Sequence, residues 1–184
     1  MLAESTKFIN RFEKEIMLIM VMGLPGSGKS FFAKSFAEKL GAEYFSSDLL
    51  RTKMGLRGKY LPENKNQVYM EMAKRTKELI EKNKSVVLDA TFFQKKFREF
   101  IYSIAETSGV PLFIFLVQAD ENIIKQRLSA PRKDSEADHS VYLKIKEQFE
   151  PLERPFLTLN STNDNLSEIL LKASQYINRP NEQQ

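Results

Sequence analysis

Eight consecutive residues, Gly23-Leu24-Pro25-Gly26-Ser27-Gly28-Lys29-Ser30, satisfy the pattern G-x-x-x-x-G-K-[ST] at every fixed position. Each residue type in that run has a mechanical task. Gly23, Gly26 and Gly28, with Ser27 among them, let the backbone curl and aim its N–H groups at an anion. Lys29 adds a flexible point charge for the β- and γ-phosphates of a nucleotide, and the Ser30 hydroxyl can ligate Mg²⁺. A helix beginning here points the positive end of its dipole at the same anion. The chemistry on offer is the binding of a nucleoside triphosphate together with magnesium.

Other candidate groups follow other apolar runs. Two readings are open for the stretch Ser46-Ser47-Asp48-Leu49-Leu50-Arg51. In one, Asp48 is a general base for an acceptor hydroxyl and Arg51 grips phosphate with its fork of donors. In the other, Ser47 or Asp48 caps a helix and Arg51 closes an ordinary i,i+3 ion pair. Val86-Val87-Leu88-Asp89 ends a buried run on an acid, which is placed to meet Mg²⁺ or its water shell and complete what Ser30 begins. Thr91, two residues on, is a weaker candidate for substrate contact. Arg127, on a helix, and Arg132, in the polar segment 131–138, are arginines that could stabilise charge spread over a transferring phosphoryl group. Lys133 reads as solvated, and His139, the single histidine, has no partner in view.

These groups work together only if the fold gathers them. Strands are expected over 16–22, 43–46, 86–89, 112–118 and 156–159. Four are continuous apolar runs, the signature of parallel strands covered on both faces. Helical spacing recurs between them: Tyr69, Met72, Ala73, Thr76, Leu79 and Ile80 share one face of a helix over 64–82. Phe97, Phe100, Ile101, Ile104 and Ala105 do so over 95–107, and both sets read as core-facing. The alternation implies an α/β fold, a three-layer sandwich with a five-stranded parallel sheet, whose ligands sit beyond the carboxyl ends of the strands. The 184 residues form a single domain in this reading, with residues 1–15 as a helical extension and 131–138 as a small lid loop.

Composition narrows the function classes. The chain has no cysteine, which excludes disulfides and cysteine-ligated metals. Its longest apolar runs, 16–22 and 112–117, are far too short to span a bilayer, and the first residues lack the pattern of a signal peptide. A cytoplasmic protein without a membrane partner is expected. The net charge of +4 is mild, and the basic stretches Lys53, Arg57, Lys59, Tyr60 and Lys95, Lys96, Arg98 are weak signals of nucleic-acid binding.

The phosphate loop, Ser47-Asp48-Leu49-Leu50-Arg51, Val87-Leu88-Asp89-Ala90-Thr91 and Arg127-Leu128-Ser129-Ala130-Pro131-Arg132 occur in the order seen in small P-loop kinases. Over residues 16–178 the chain resembles the group of polynucleotide 5′-hydroxyl kinases, zeta toxins and related predicted kinases. Within it, the chain looks closest to the AAA-type ATP-binding domain joined to aminoglycoside-phosphotransferase-like domains. The resemblance implies an ATP-dependent kinase with Mg²⁺ as cofactor and a hydroxyl-bearing acceptor; the weakness of the basic stretches puts a small molecule ahead of a polynucleotide 5′ end. It further implies Asp48 as the base, Arg51 as a ligand of substrate phosphate or the reacting phosphoryl oxygens, and Arg127 and Arg132 as lid arginines. Pro131, directly before Arg132, departs from relatives. The rival expectation is an ATP-binding regulatory module or slow ATPase acting through a protein partner; acceptor-stimulated turnover would separate the two.

Overall fold

In the computed structural model, residues 15–129 and 138–178 are described. Nearly all of the expected helical extension 1–15, Arg132 and nearly all of the expected lid therefore lie outside the described residues. Five strands alternate with helices: β1 (Leu18–Met22), α1 (Lys29–Leu40), β2 (Glu43–Ser46), α2 (Ser47–Lys53), α3 (Pro62–Glu81) and β3 (Val86–Asp89) come first. They are followed by α4 (Lys95–Ser108), β4 (Leu112–Gln118), α5 (Glu121–Ser129), α6 (His139–Glu147), β5 (Leu157–Asn160) and α7 (Leu166–Ile177). All four strand pairings are parallel, in the order β2-β3-β1-β4-β5. This is the expected α/β sheet. Among the described residues no helix is long and apolar enough to cross a membrane.

β1 is buried throughout because it lies mid-sheet and both its faces are covered. Leu18, Met20 and Met22 pack with α3 and α4 residues such as Met72 and Ile101. Ile19 and Val21 point the other way, onto Phe32 and Phe36 of α1 and Ile169 of α7. Phe32, Phe36 and Phe115 of β4 form an aromatic triad with centroid distances of 5.3, 5.7 and 5.5 Å. Each buried phenyl contributes roughly 1.5–3 kcal/mol of burial free energy, so α1 is held firmly on the sheet and its N-terminus with it.

One helix face departs from its spacing. On α4, Phe100 is 39 % exposed, whereas Arg98 is fully buried. Arg98 donates from Nη1 to the carbonyl of Phe92 (3.0 Å) and from Nη2 to the carbonyl of Pro151 (2.6 Å), and it pairs with Glu153 at 3.2 Å. A guanidinium tolerates burial when carbonyls and a carboxylate take its protons. The basic stretch Lys95, Lys96, Arg98 is therefore no continuous basic surface, because its arginine is a structural tie.

Candidate active site

Beyond β1 the chain enters residues 23–30 by way of three glycines with positive φ, at 151°, 80° and 91° for Gly23, Gly26 and Gly28. Gly28 is the N-cap of α1 and provides no side-chain cap. The first-turn N–H groups of the helix are thus open to an outside acceptor, which is the arrangement an anion needs. A Cβ at Gly28 would stand 2.5 Å from Ser161 Oγ and 3.0 Å from Arg127 Nη1, so both side chains would have to shift, and the φ of 91° favours glycine there as well.

β3 is in register with β1, Asp89 beside Val21, and with β2, Asp89 beside Ser46. That places Asp89 at the sheet edge from which the glycine-rich loop departs. Its side chain is 1 % exposed and accepts a hydrogen bond from Tyr44 to Oδ2 (2.8 Å), while Oδ1 has no partner among the described residues. Burial pushes this carboxyl above the ordinary aspartate range; the Lys29 charge and hydrogen bonds from Ser30 and Tyr44 pull it back. The Tyr44 phenol is pushed up in turn, by burial first and then by the Asp89 charge. A buried carboxylate with one oxygen unsatisfied, beside a serine hydroxyl and a lysine, suits a hard cation such as Mg²⁺ bound with phosphates. Among the described residues no cluster of three or more histidines, cysteines and acids offers a site of another kind.

At the start of α2 the cap is neither Ser47 nor Asp48. Ser46 Oγ accepts from the backbone N–H groups of Asp48 (3.2 Å) and Leu49 (3.4 Å). Among the described residues the Asp48 carboxylate makes no hydrogen bond and no ion pair, and its charge acts on Asp89, Tyr44 and Tyr69. Arg51 does not close the i,i+3 pair. It is 6 % exposed, donates from Nη1 to the carbonyl of Lys59 (2.7 Å) and lies 4.6 Å from the Tyr60 ring centroid.

Arg127 sits on the other flank. It donates to Asn163 Oδ1 (3.2 Å), Ser161 Oγ (3.3 Å) and the carbonyls of Gly26 (3.2 Å) and Thr162 (2.7 Å). These bonds tie the glycine-rich loop to the segment that follows β5. A cavity of about 410 Å³ opens there, lined by Gly28, Lys29, Phe31, Arg127, Thr162 and Asn163 among others. Its size and the planar guanidinium in its wall suit the base and sugar of a nucleotide whose phosphates reach residues 26–30. Ser161, Thr162 and Asn163 escaped the sequence reading, although the rule that ligands meet the residues just past each strand applies to β5 as well. Tyr44 carried no such signal, since it precedes its strand's end by two residues.

The family model described as an AAA domain matches residues 18–152. A probable gluconokinase of Schizosaccharomyces pombe is 30 % identical over 135 residues, which are 66 % of this chain and 67 % of that protein. An uncharacterized protein of Mycobacterium tuberculosis is 28 % identical over 127 residues, 62 % of this chain; the match spans only 26 % of that relative's length. Among solved structures, a sugar kinase from Janibacter superposes with a TM-score of 0.70 at 18 % identity, covering 88 % of this chain and 94 % of that one. The Mycobacterium tuberculosis APS kinase in complex with AMPPNP and APS gives a TM-score of 0.63 at 17 % identity, covering 89 % and 96 %. At such identities the structural likeness shows the kinase-type P-loop fold.

Proposed function

The chain belongs to the AAA domain family, and on that footing we propose that it is an ATP-dependent phosphotransferase acting on a hydroxyl of a small molecule. The observation that carries this reading is the division of labour at α2. Ser46 caps the helix, which leaves the Asp48 carboxylate uncommitted at the same sheet edge as Lys29 and Asp89.

In this reading the backbone N–H groups of residues 26–30 and the Lys29 ammonium hold the phosphates, and Arg127 with Ser161 to Asn163 holds the nucleoside end. Ser30 and Asp89 would hold Mg²⁺, which when bound neutralises phosphate charge. Asp48 takes the proton of the acceptor hydroxyl while that oxygen bonds to the γ-phosphorus, and the bond from phosphorus to the bridging oxygen of the departing ADP breaks. Positioning and electrostatics do most of this chemistry, so few residues suffice. Arg132, outside the described residues, remains the lid arginine of this proposal. The likeness to a probable gluconokinase supports a polyhydroxylated small molecule ahead of a polynucleotide 5′ end.

The test is a phosphate-transfer screen over metabolites, sugars and 5′-hydroxyl oligonucleotides. ATP turnover is expected to rise sharply with the right acceptor. A low rate indifferent to every acceptor would instead favour a regulatory module or slow ATPase.

A further inference from the structure

α1 turns two neighbouring phenylalanines in opposite directions. Phe32 is fully buried in the core with Phe36, one turn further on, whereas Phe31 is 67 % exposed. The exposed face of the helix otherwise carries charge, Lys34 and Glu38 following Phe31 at helical spacing. A lone apolar side chain on open surface needs no explanation, but Phe31 does not stand on open surface. It lines the cavity of about 410 Å³ whose wall also holds Gly28, Lys29 and Arg127. None of the other exposed large apolar side chains among the described residues lines that cavity.

Gly28 and Phe31 are three residues apart and share one face at the start of α1. Arg127 and Ser161 crowd that face at Gly28, so the Phe31 ring lies one helical turn along from the guanidinium. The guanidinium is fixed by its bonds to Gly26, Ser161, Thr162 and Asn163, which makes this wall rigid before a ligand arrives. Leu166 and Ile169 of α7 add apolar lining. An aromatic and apolar wall beside a phosphate-binding loop matches a ligand that is anionic at one end and flat and weakly hydrated at the other. A phenyl offers phosphate no hydrogen bond, so its task lies with the nucleoside.

We propose that Phe31 sets the base preference of the nucleotide site: its ring packs against the base and favours purine over pyrimidine nucleotides, because the larger ring covers more of the phenyl. Stacking is indifferent to the hydrogen-bonding edge of a base, so Phe31 selects ring size and does not separate adenine from guanine. This assignment rests on the ATP-dependent reading for the class of ligand and on no transfer step.

The experiment is calorimetric titration of ADP, UDP and inorganic tripolyphosphate into the full chain with magnesium. Wild type is expected to bind ADP at least fivefold more tightly than UDP. Phe31→Ala is expected to lose at least fivefold in ADP affinity and to bring ADP and UDP within twofold of each other, with tripolyphosphate within twofold of wild type. Met70→Ala, at a residue 60 % exposed on α3 and outside the cavity, is the control, unchanged within twofold for all three ligands. Circular dichroism melts check that the variants fold. The chain has no tryptophan, so Phe31→Trp introduces a single indole, whose emission ADP is expected to quench and tripolyphosphate to leave alone. Unchanged ADP affinity in Phe31→Ala, or an indole indifferent to ADP, would overturn the proposal. Equal losses for ADP and UDP would overturn it in favour of a contact with the sugar, and a parallel loss for tripolyphosphate in favour of a role in shaping the loop. Wild type that binds neither ADP nor tripolyphosphate would sink the nucleotide reading and the proposal together. Turnover that no acceptor stimulates, with the ADP differences intact, would sink the phosphotransferase reading alone.

Discussion

The phenol of Tyr44, on the edge strand β2, donates a 2.8 Å hydrogen bond to Asp89 Oδ2, two strands' width of sheet being thereby tied at its carboxyl end. The bond holds one carboxylate oxygen, while Oδ1 has no partner among the described residues. It is a positioning contact whose worth lies in the state of Asp89.

Asp89→Asn is expected to raise the melting temperature at neutral pH and to abolish magnesium-dependent turnover. The sign follows from linkage. The folded carboxyl titrates above the unfolded one, so its favourable contribution is complete below the ordinary aspartate range and is lost as pH rises through the folded value. Thermal melts of the metal-free protein at pH 7 and pH 3 check this; a stabilisation no larger at pH 7 than at pH 3 refutes it. Tyr44→Phe removes a hydrogen bond that lowers the carboxyl, so the acid limb of the activity profile is expected to move to higher pH.

Gly28→Ala and Gly41→Ala separate crowding from backbone strain. Both glycines have positive φ, 91° and 62°, and the left-handed conformation costs a larger residue roughly 1–2 kcal/mol. Only Gly28 also has Ser161 Oγ at 2.5 Å from the added carbon, whereas nothing lies within 4 Å at Gly41. The alanine at 28 is expected to weaken ATP binding at least tenfold, and that at 41 to lower stability alone. Equal ATP affinities in fluorescence titrations would refute the close approach.

Asp48→Asn should lower kcat by about 10²- to 10⁴-fold with ATP affinity kept, as befits a lost general base. Ser46→Ala should do the reverse, costing about 1 kcal/mol of stability through the lost cap with kcat per folded molecule nearly unchanged. A stability loss without a kcat effect in Asp48→Asn would return Asp48 to a structural role.

Arg98→Ala is expected to destabilise the protein by roughly 3–5 kcal/mol, because it leaves buried carbonyls and the Glu153 carboxylate without their donor. Denaturant melts measure it. A loss under 1 kcal/mol would show that Arg98 is not the tie described above.

Much of this molecule could be read along the chain. β2, β3 and β4 have the bounds expected, since apolar runs bounded by polar turns leave little choice of register in a sheet covered on both faces. Lys29, Ser30 and Asp89 are gathered because each follows or ends a strand. The order of strands was not legible: nothing local to Leu18–Met22 says that β3 and β4, not β2, will flank it. Nor was Arg98, a charge at core spacing with Ile101 and Ala105, whose partners other than Phe92 lie more than fifty residues away. A charge inside a helix's apolar face is decided by distant carbonyls, which periodicity cannot see.

The same tie sets a timetable for the growing chain. Arg98 holds Phe92 in place only once Pro151 and Glu153 have been made, 53 and 55 residues after it. At about 5–20 residues per second those 55 residues take roughly 3–11 s to synthesise, and they must also clear the ribosome. The glycine-rich loop and its first strands can meanwhile form from residues already in hand. The residues that close the nucleoside end, Ser161 to Asn163, are made later still, so a nascent chain arrested before residue 151 is expected to carry a glycine-rich loop without a finished nucleotide site.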